Sequence, residues 1–273
     1  MFSLLLISVI VGFVGALTGL GGASLLIPIL VFVGIPIKEA IASSMVAIIA
    51  TSSGAASTFV KERITNVKVA MYLEMFTSVG AVIGATITTI VAPVLLYFFF
   101  AAFLLTSFIK IKDSISRNYV SPKKQDKLSK WLELKGSYFD KAKNQIIEYK
   151  VNHALLGGLG MLIAGLAAGM LGIGAGAFKV TIQENILKLP SKVASATSDF
   201  IIGMTALAGV SVYFFSGLLN LTLMTPMAIG ATIGALAGGK ILNKLHGKVL
   251  KILFLTVTFI IVVQMLYKGI MSI

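Results

Sequence analysis

The sequence predicts an all-α polytopic membrane protein made of two inverted-topology repeats, each a Gly-broken helix-loop-helix element plus three transmembrane helices. Three observations lead there: long apolar segments, a glycine-rich motif that occurs twice, and basic residues that change loops between the two halves.

The chain is 57% hydrophobic and 12% charged, about half the charge of an ordinary soluble domain. Apolar runs long enough to cross a bilayer, roughly 18 residues or more, fall at 3–33, 39–60, 69–91, 93–110, 151–187, 193–215, 221–239 and 249–271. The first of them follows no basic segment and already contains the glycine motif, so it reads as a retained membrane element and not as a cleaved signal. The sequence has no Cys and two His, His153 and His246. That composition removes disulfides, thiolate metal sites and a Cys nucleophile, and speaks against a multi-His metal centre. Neither metal nor cofactor is expected.

The motif reads Gly12-Phe-Val-Gly15-Ala-Leu-Thr-Gly19-Leu-Gly21-Gly22-Ala-Ser24 near the start and Gly165-Leu-Ala-Ala-Gly169-Met-Leu-Gly172-Ile-Gly174-Ala-Gly176-Ala177 downstream. The correspondence continues beyond the glycines. Pro36-Ile-Lys38-Glu-Ala40-Ile-Ala-Ser43-Ser44 matches Pro190-Ser-Lys192-Val-Ala194-Ser-Ala-Thr197-Ser198, Asn66 matches Asn220, and Gly80 and Gly84 match Gly234 and Gly238. Nearly all pairs share one offset, which makes residues 1–110 and 151–273 two homologous membrane repeats. Between them, 111–150 is a basic connecting loop: 11 of the 23 basic residues lie from Lys110 to Lys150. A basic segment between spans is ordinarily cytoplasmic, and it can rest on anionic lipid headgroups. This placement argues against nucleic acid as a partner. Its interleaved Trp131, Leu132, Leu134, Tyr138 and Phe139 read in part as an amphipathic helix lying on the membrane.

Loop charge sets orientation. Lys61, Arg63 and Lys68 follow the second segment, while the equivalent stretch from Phe215 to Asn220 is uncharged. Val91-Ala92-Pro93 is uncharged, while the region equivalent to it carries Lys240, Lys244, Lys248 and Lys251. Equivalent loops therefore face opposite sides, and the halves are inverted. Inversion requires an odd number of crossings per half. The glycine-rich elements 3–33 and 151–188 supply it if each turns back on itself, either as a re-entrant hairpin or as two full crossings.

Candidate site residues follow from the breaks. Gly19, Gly21, Gly22, Gly172, Gly174 and Gly176 allow backbone N–H groups and half-helix N-termini to point at an anion. Gly12, Gly15, Gly165 and Gly169 have the small-xxx-small spacing of helix packing. Ser24, Ser43, Ser44, Thr197 and Ser198 can donate to an oxyanion, though Ser43/Ser44 and Thr197/Ser198 fit bonds to their own helix backbone equally well. A charge within an apolar span is costly unless paired or wet. Asp199 is read as a proton-titrating or gating group. Lys179 is read as an anion partner, as an ion-pair mate of Asp199, or as a snorkelling lysine. Glu74 is read as structural, and Asn66 and Asn220 as helix caps.

These two Gly-rich motifs, in two membrane-spanning halves, resemble the sulfite exporter TauE/SafE family. Gly19-Leu-Gly21-Gly22-Ala-Ser24-Leu-Leu-Ile-Pro28 carries the first copy of the likeness, and Gly172-Ile-Gly174-Ala-Gly176 with Ala196-Thr197-Ser198 the second. The likeness covers the chain outside the central loop. It departs at Lys179-Val180-Thr181, which stand where the first copy has Leu26-Ile27-Pro28, and at Asp199, which stands where it has Met45. The resemblance implies transport of small sulfur-containing anions such as sulfite, sulfonates or sulfoacetate. The expectation is thus a secondary transporter in the plasma membrane, multi-pass, with the central loop cytoplasmic and no enzymatic activity. Its partners would be a small anionic solute, the lipid bilayer and, in an oligomer, further copies of itself. No Gly-x4-Gly-Lys-Ser/Thr stretch is present, so an ion gradient and not ATP is the expected source of energy. The rival readings are a channel-like anion conduit and a non-transport membrane assembly subunit.

Overall fold

The computed structural model describes residues 2–18, 23–111, 125–140, 144–242 and 247–271. The first half holds α1 (Phe2–Thr18), α2 (Ala23–Phe32), α3 (Ile37–Lys61), α4 (Val67–Ile90) and α5 (Pro93–Ile111). The connector holds α6 (Lys127–Trp131), β1 (Lys135–Asp140) and β2 (Gln145–Lys150). The second half holds α7 (Ala154–Leu171), α8 (Gly176–Asn185), α9 (Ser191–Phe215), α10 (Leu221–Leu242) and α11 (Gly247–Met271). Among the described residues, α3, α4, α7 and α9 are long and apolar enough to cross a membrane, and shorter apolar stretches lie in α1, α5, α10 and α11.

Helix α4 shows how the sequence sets these elements. Asn66 caps it, its side chain accepting from Val69 N at 3.1 Å, which satisfies one of the amides left open at a helix start. Met71, Met75, Val79 and Val82 form an exposed stripe at the i, i+4, i+8, i+11 spacing of one helix face. Leu73, Thr77, Gly80, Ala81 and Gly84 form the buried one. An apolar exposed stripe suits lipid, which is as apolar as the side chains it meets. Pro93 cannot continue the ladder of α4 and opens α5 as its first residue, the position where a missing N–H costs least.

Glycine seams hold the helices together. A methyl added at Gly80 or Gly84 of α4 would collide with the backbone of α7 at Leu162 and Leu166; one at Gly165 or Gly169 of α7 would collide with Thr77 and Ala81 of α4. The same arrangement joins α1 and α10, where Gly230 meets Leu5, Gly234 meets Val9, and Gly12 meets Ala231. Such backbone approach maximises dispersion contact where no water remains to drive association. Taking the five helices of each half in order, α1 packs on α10 as α7 packs on α4. Likewise α3 packs on α10 as α9 packs on α4, and α3 meets α9, as α5 meets α11. Helices α4 and α9 run parallel: Thr65 Oγ1 donates to Ala196 O, Asn66 N to Thr197 Oγ1, and Thr205 Oγ1 to Glu74 Oε2, all at a separation of 131 residues.

Helix α8 folds back along α7. Gly160 faces Ile182, Gly157 faces Leu187, and Asn152 N donates to Leu187 O at 3.1 Å. The chain thus leaves this element at the end where it entered. At ten residues, α8 is about 15 Å long, too short to cross the hydrocarbon core.

The connector corrects one expectation. Lys135–Asp140 and Gln145–Lys150 form an antiparallel β-pair, matching Lys135 with Lys150 and Tyr138 with Ile147, where the sequence predicts an amphipathic helix in part of the loop; helix is confined to Lys127–Trp131 among the connector's described residues, and the fold is helical with one small sheet. Alternation explains it: Tyr138 and Tyr149 point inward and are buried, while Phe139, Ile146 and Glu148 do not share their face, a period of two that a helix cannot use. The hairpin packs on the end of the bundle where α4, α7 and α9 begin. Asn66 Nδ2 donates to Tyr149 Oη at 3.0 Å, Lys192 Nζ to Asp140 Oδ1 at 2.6 Å, and Leu134 and Val151 join the core around Leu73, Leu187 and Val193. The exposed Lys68–Glu133 pair at 3.0 Å holds the Glu133 carboxyl below its usual range through the Lys68 hydrogen bond.

The seams carry a direct test. Gly84→Leu forces a side chain into the α7 backbone and should destabilise the protein by at least about 1–3 kcal/mol, the usual penalty of overpacking. Gly54→Ala meets only Leu236 at 3.9 Å and should leave the melting temperature in detergent unchanged. Equal melting of the two variants would refute the seam.

Candidate functional site

The glycine break of the second half is built from left-handed backbone. Gly172 has φ 64°, Gly174 φ 69° and Ala175 φ 51°, a region in which a side chain costs roughly 1–2 kcal/mol. Gly172 N still bonds Ala168 O, closing α7. Ala175 offers no side-chain cap to α8. The first amides of α8 therefore open on the break without a capping side chain, and carry the positive end of that helix.

Two helices wrap this break. On α3, Ile41 contacts Gly172 and Ile48 contacts Gly174. Ser44 lies between them on the same stripe, at i+3 from one and i−4 from the other. Its hydroxyl is fully buried and has no hydrogen-bond partner among the described residues; Ser43 is in the same condition. On α9, Ser198, Ile202 and Thr205 form the facing stripe. Ser198 Oγ donates to Gly176 O at 3.4 Å, and Ile202 contacts Gly174. Ile27 of α2 reaches Gly172 from the first half. Thr197 is buried on the next face, accepting from Asn66 N at 3.3 Å.

A polar cluster lies beside the break, on α4, α8 and α9. Lys179 is fully buried, and its Nζ donates to Thr205 Oγ1 at 2.9 Å. Thr205 reaches Glu74 Oε2 at 3.1 Å. Thr77 donates to Glu74 Oε2 at 2.9 Å, and Ser78 donates to Glu74 Oε1. One turn past Lys179, Gln183 is fully buried with neither amide atom partnered among the described residues. This answers the sequence reading of the charges: Lys179 is linked to Glu74 through Thr205 and forms no ion pair with Asp199. Asp199 lies about 100° around α9 from Ser198 and is half-buried. Glu74, expected to be structural, is the carboxylate of the cluster. A lone Glu in an apolar span signals it; Thr205 and Lys179, more than a hundred residues away, leave no spacing signature.

The structure thus gathers Ser44, Gly172, Gly174, Gly176, Ser198 and Lys179 around the second break. Gly19, Gly21 and Gly22 lie outside the described residues, and Ser24 is described only as part of α2.

Residues 4–265 match the family model "Sulfite exporter TauE/SafE". The chain is 26% identical, over 98% of both chains, to the "Probable membrane transporter protein YunE" of Bacillus subtilis (strain 168). No solved structure matches it.

The break generates an order of stabilities. Gly172→Ala places a methyl 2.9 Å from Ile41 O, whereas Gly174→Ala places one 3.1 Å from the movable Ile202 Cγ2. Both should destabilise by about 1–2 kcal/mol through the left-handed backbone, and Gly172→Ala should melt lower. The reverse order in thermal unfolding would contradict the packing described.

Proposed function

Because the chain belongs to the sulfite exporter TauE/SafE family, and is a multi-pass membrane transporter and not an enzyme, we propose that it carries small sulfur-containing anions such as sulfite, sulfonates or sulfoacetate across the plasma membrane. In this reading it works by alternating access and is driven by an ion gradient. The observation that carries the reading is the uncapped start of α8, half-buried against α9 next to a break that α3 also lines, where the Ser44 hydroxyl is buried without a partner among the described residues. A buried hydroxyl without a partner, beside a helix start that no side chain caps, suits a ligand that only accepts, and the helix end favours negative charge. Broken helices meeting inside the bilayer are how secondary transporters commonly build such a site.

The inverted repeat belongs to the same proposal. It is supported by packings that recur when the two halves are exchanged. It is supported too by direction: α9, the counterpart of α3, runs parallel to α4, whereas α3 turns back into α4 through residues 62–66. Counterpart helices then point opposite ways. The basic residues of the central loop support a cytoplasmic position for it.

Two experiments test this. Proteoliposomes should take up sulfite, sulfoacetate or a related anion, and Gly21→Leu with Gly174→Leu should abolish uptake; undiminished flux would remove the breaks from the site. The natural sequence has no Cys, so a single Cys at Arg63 or Gly217 reports sidedness without background. Gly217→Cys should react with an impermeant thiol reagent outside intact cells, and Arg63→Cys only after permeabilisation. Protection of Gly217→Cys would refute the inverted arrangement.

A further inference from the structure

We infer that Lys179 and Gln183 form an oxyanion-binding pair, and that Glu74 is the proton acceptor that opens it, so that one proton accompanies each monoanion. The inference rests on the anion-transporter reading above and names the charged part of its site.

The donor count points to an acceptor-only ligand. A lysine ammonium has three N–H donors, and Lys179 uses one, to Thr205, among the described residues. Gln183 brings two more amide hydrogens from the next turn of the same helix face, unpartnered although the side chain is fully buried. Buried polar groups are nearly always satisfied, so a buried primary amide with both ends open marks a place where something else binds. Glu74 does not fill that role. It is already supplied by the Thr77, Ser78 and Thr205 hydroxyls, and no Lys179–Glu74 ion pair within 4.0 Å is found among the described residues. The lysine and the carboxylate are held apart by one hydroxyl.

That spacer is what permits exchange. Thr205 has one hydroxyl proton and two acceptors within reach, Glu74 Oε2 at 3.1 Å and Ile201 O at 2.7 Å. Turned to Ile201, it leaves Lys179 its lone pair and releases Glu74. With both groups ionised the cluster is neutral, and a bound monoanion would leave one uncompensated negative charge in a membrane interior, which is strongly disfavoured. Uptake of one proton by the Glu74 carboxylate, giving the neutral acid, restores neutrality and leaves Lys179 paired with the anion. No covalent bond to the substrate forms.

Other ionisable groups on the packed elements do not take this place. Helix α7 carries none. On α9, Lys192 is held by Asp140 of the hairpin, and Asp199 lies on another face than Thr205. On α3, Lys38 binds Thr89 O at the far end of α4, while Glu39 and Lys61 sit in its first and last turns. On α8, Glu184 follows Gln183 on an adjacent face.

The test uses the full chain in detergent, with methanesulfonate, a monoanion at every working pH, and acetate as the carboxylate counterpart. Calorimetry in two buffers of different ionisation enthalpy should show one proton taken up per anion by the natural protein. Its affinity should fall about tenfold per pH unit once Glu74 is ionised, as one-proton linkage requires. Glu74→Gln should bind without proton uptake and with an affinity that is flat in pH. Lys179→Gln and Gln183→Leu should each weaken binding at least tenfold. Should Lys179→Gln fail to fold, the doubly neutral Glu74→Gln/Lys179→Gln variant replaces it, with the same expectation. Preference for either anion supports the site and names its acceptor chemistry. Binding by the natural protein without proton uptake, proton uptake retained in Glu74→Gln, or full affinity after loss of Lys179 would each overturn the inference. Absence of binding by the folded natural protein to methanesulfonate, acetate, sulfite and sulfoacetate alike would instead overturn the anion-transporter reading.

Discussion

A helix can be interrupted inside hydrocarbon only if the backbone groups it frees are shielded by protein, since each exposed one costs several kcal/mol there. Residues 172–175 separate α7 from α8, in the proposed reading inside the bilayer, and the rest of the second half is arranged around them. Ile41 and Ile48 of α3 and Ile202 of α9 press against the two left-handed glycines. These long helices are kept in place by α4 and α10, whose own glycine seams let α7 and α1 lie against their backbones. The shield closes because helices approach so closely: a Cβ at Gly84 or Gly169 would open the seam and expose the break to lipid. Glycine thus serves two opposed ends in one motif. At Gly165 and Gly169 it tightens a continuous helix against its neighbour; at Gly172 and Gly174 it ends that helix.

The return of α8 follows from the same constraint. The positive φ angles at Gly172, Gly174 and Ala175 reverse the chain within a few residues, and Gly157 and Gly160 give the returning chain room beside α7. The reversed helix brings its uncapped amides to the depth of the break, and it carries Lys179 and Gln183 to the side where α4 and α9 supply acceptors. Site and scaffold are one construction: the geometry that shields the break also determines which polar side chains are buried next to it.

Most of the fold was legible because bilayer solubility writes itself into segment length. The apolar runs 39–60, 69–91, 93–110 and 193–215 correspond to α3, α4, α5 and α9 within a few residues, and the Gly-x-Gly spacing marked where α7 stops. The hairpin at 135–150 was not legible. Its alternation is short, it sits among lysines, and its inward tyrosines are fixed by contacts with Asn66 and α7 that no local pattern encodes. The candidate site was half legible. Glycines and small hydroxyls repeat in sequence and can be found by comparing the halves. Glu74 and Lys179 do not repeat, and they are linked through Thr205 only because α4 and α9 run side by side, a pairing between halves that leaves no trace in either alone.

This failure to repeat is informative. By the alignment of the two halves, Lys179 stands at the place of Leu26, Glu74 at that of Ala228 and Thr205 at that of Thr51. Leu26 is buried in the apolar core, and Thr51 spends its hydroxyl on Ala47 O and Ile48 O of its own helix. The helix packings recur between the halves, but this buried charge does not. A second buried cation beside the first would repel it in a medium that screens poorly, so two charged half-sites facing one another across the centre would disfavour each other. A lysine at only one of the two equivalent positions avoids that repulsion and suits the proposed binding of a single anion. The lysine and carboxylate joined by Thr205 lie toward the end covered by the hairpin, where Asn66, Lys192 and Asp140 hold the cover to α4 and α9. The glycine motif is written twice in the sequence and the buried lysine once; in the proposed mechanism that asymmetry is what makes one copy a site.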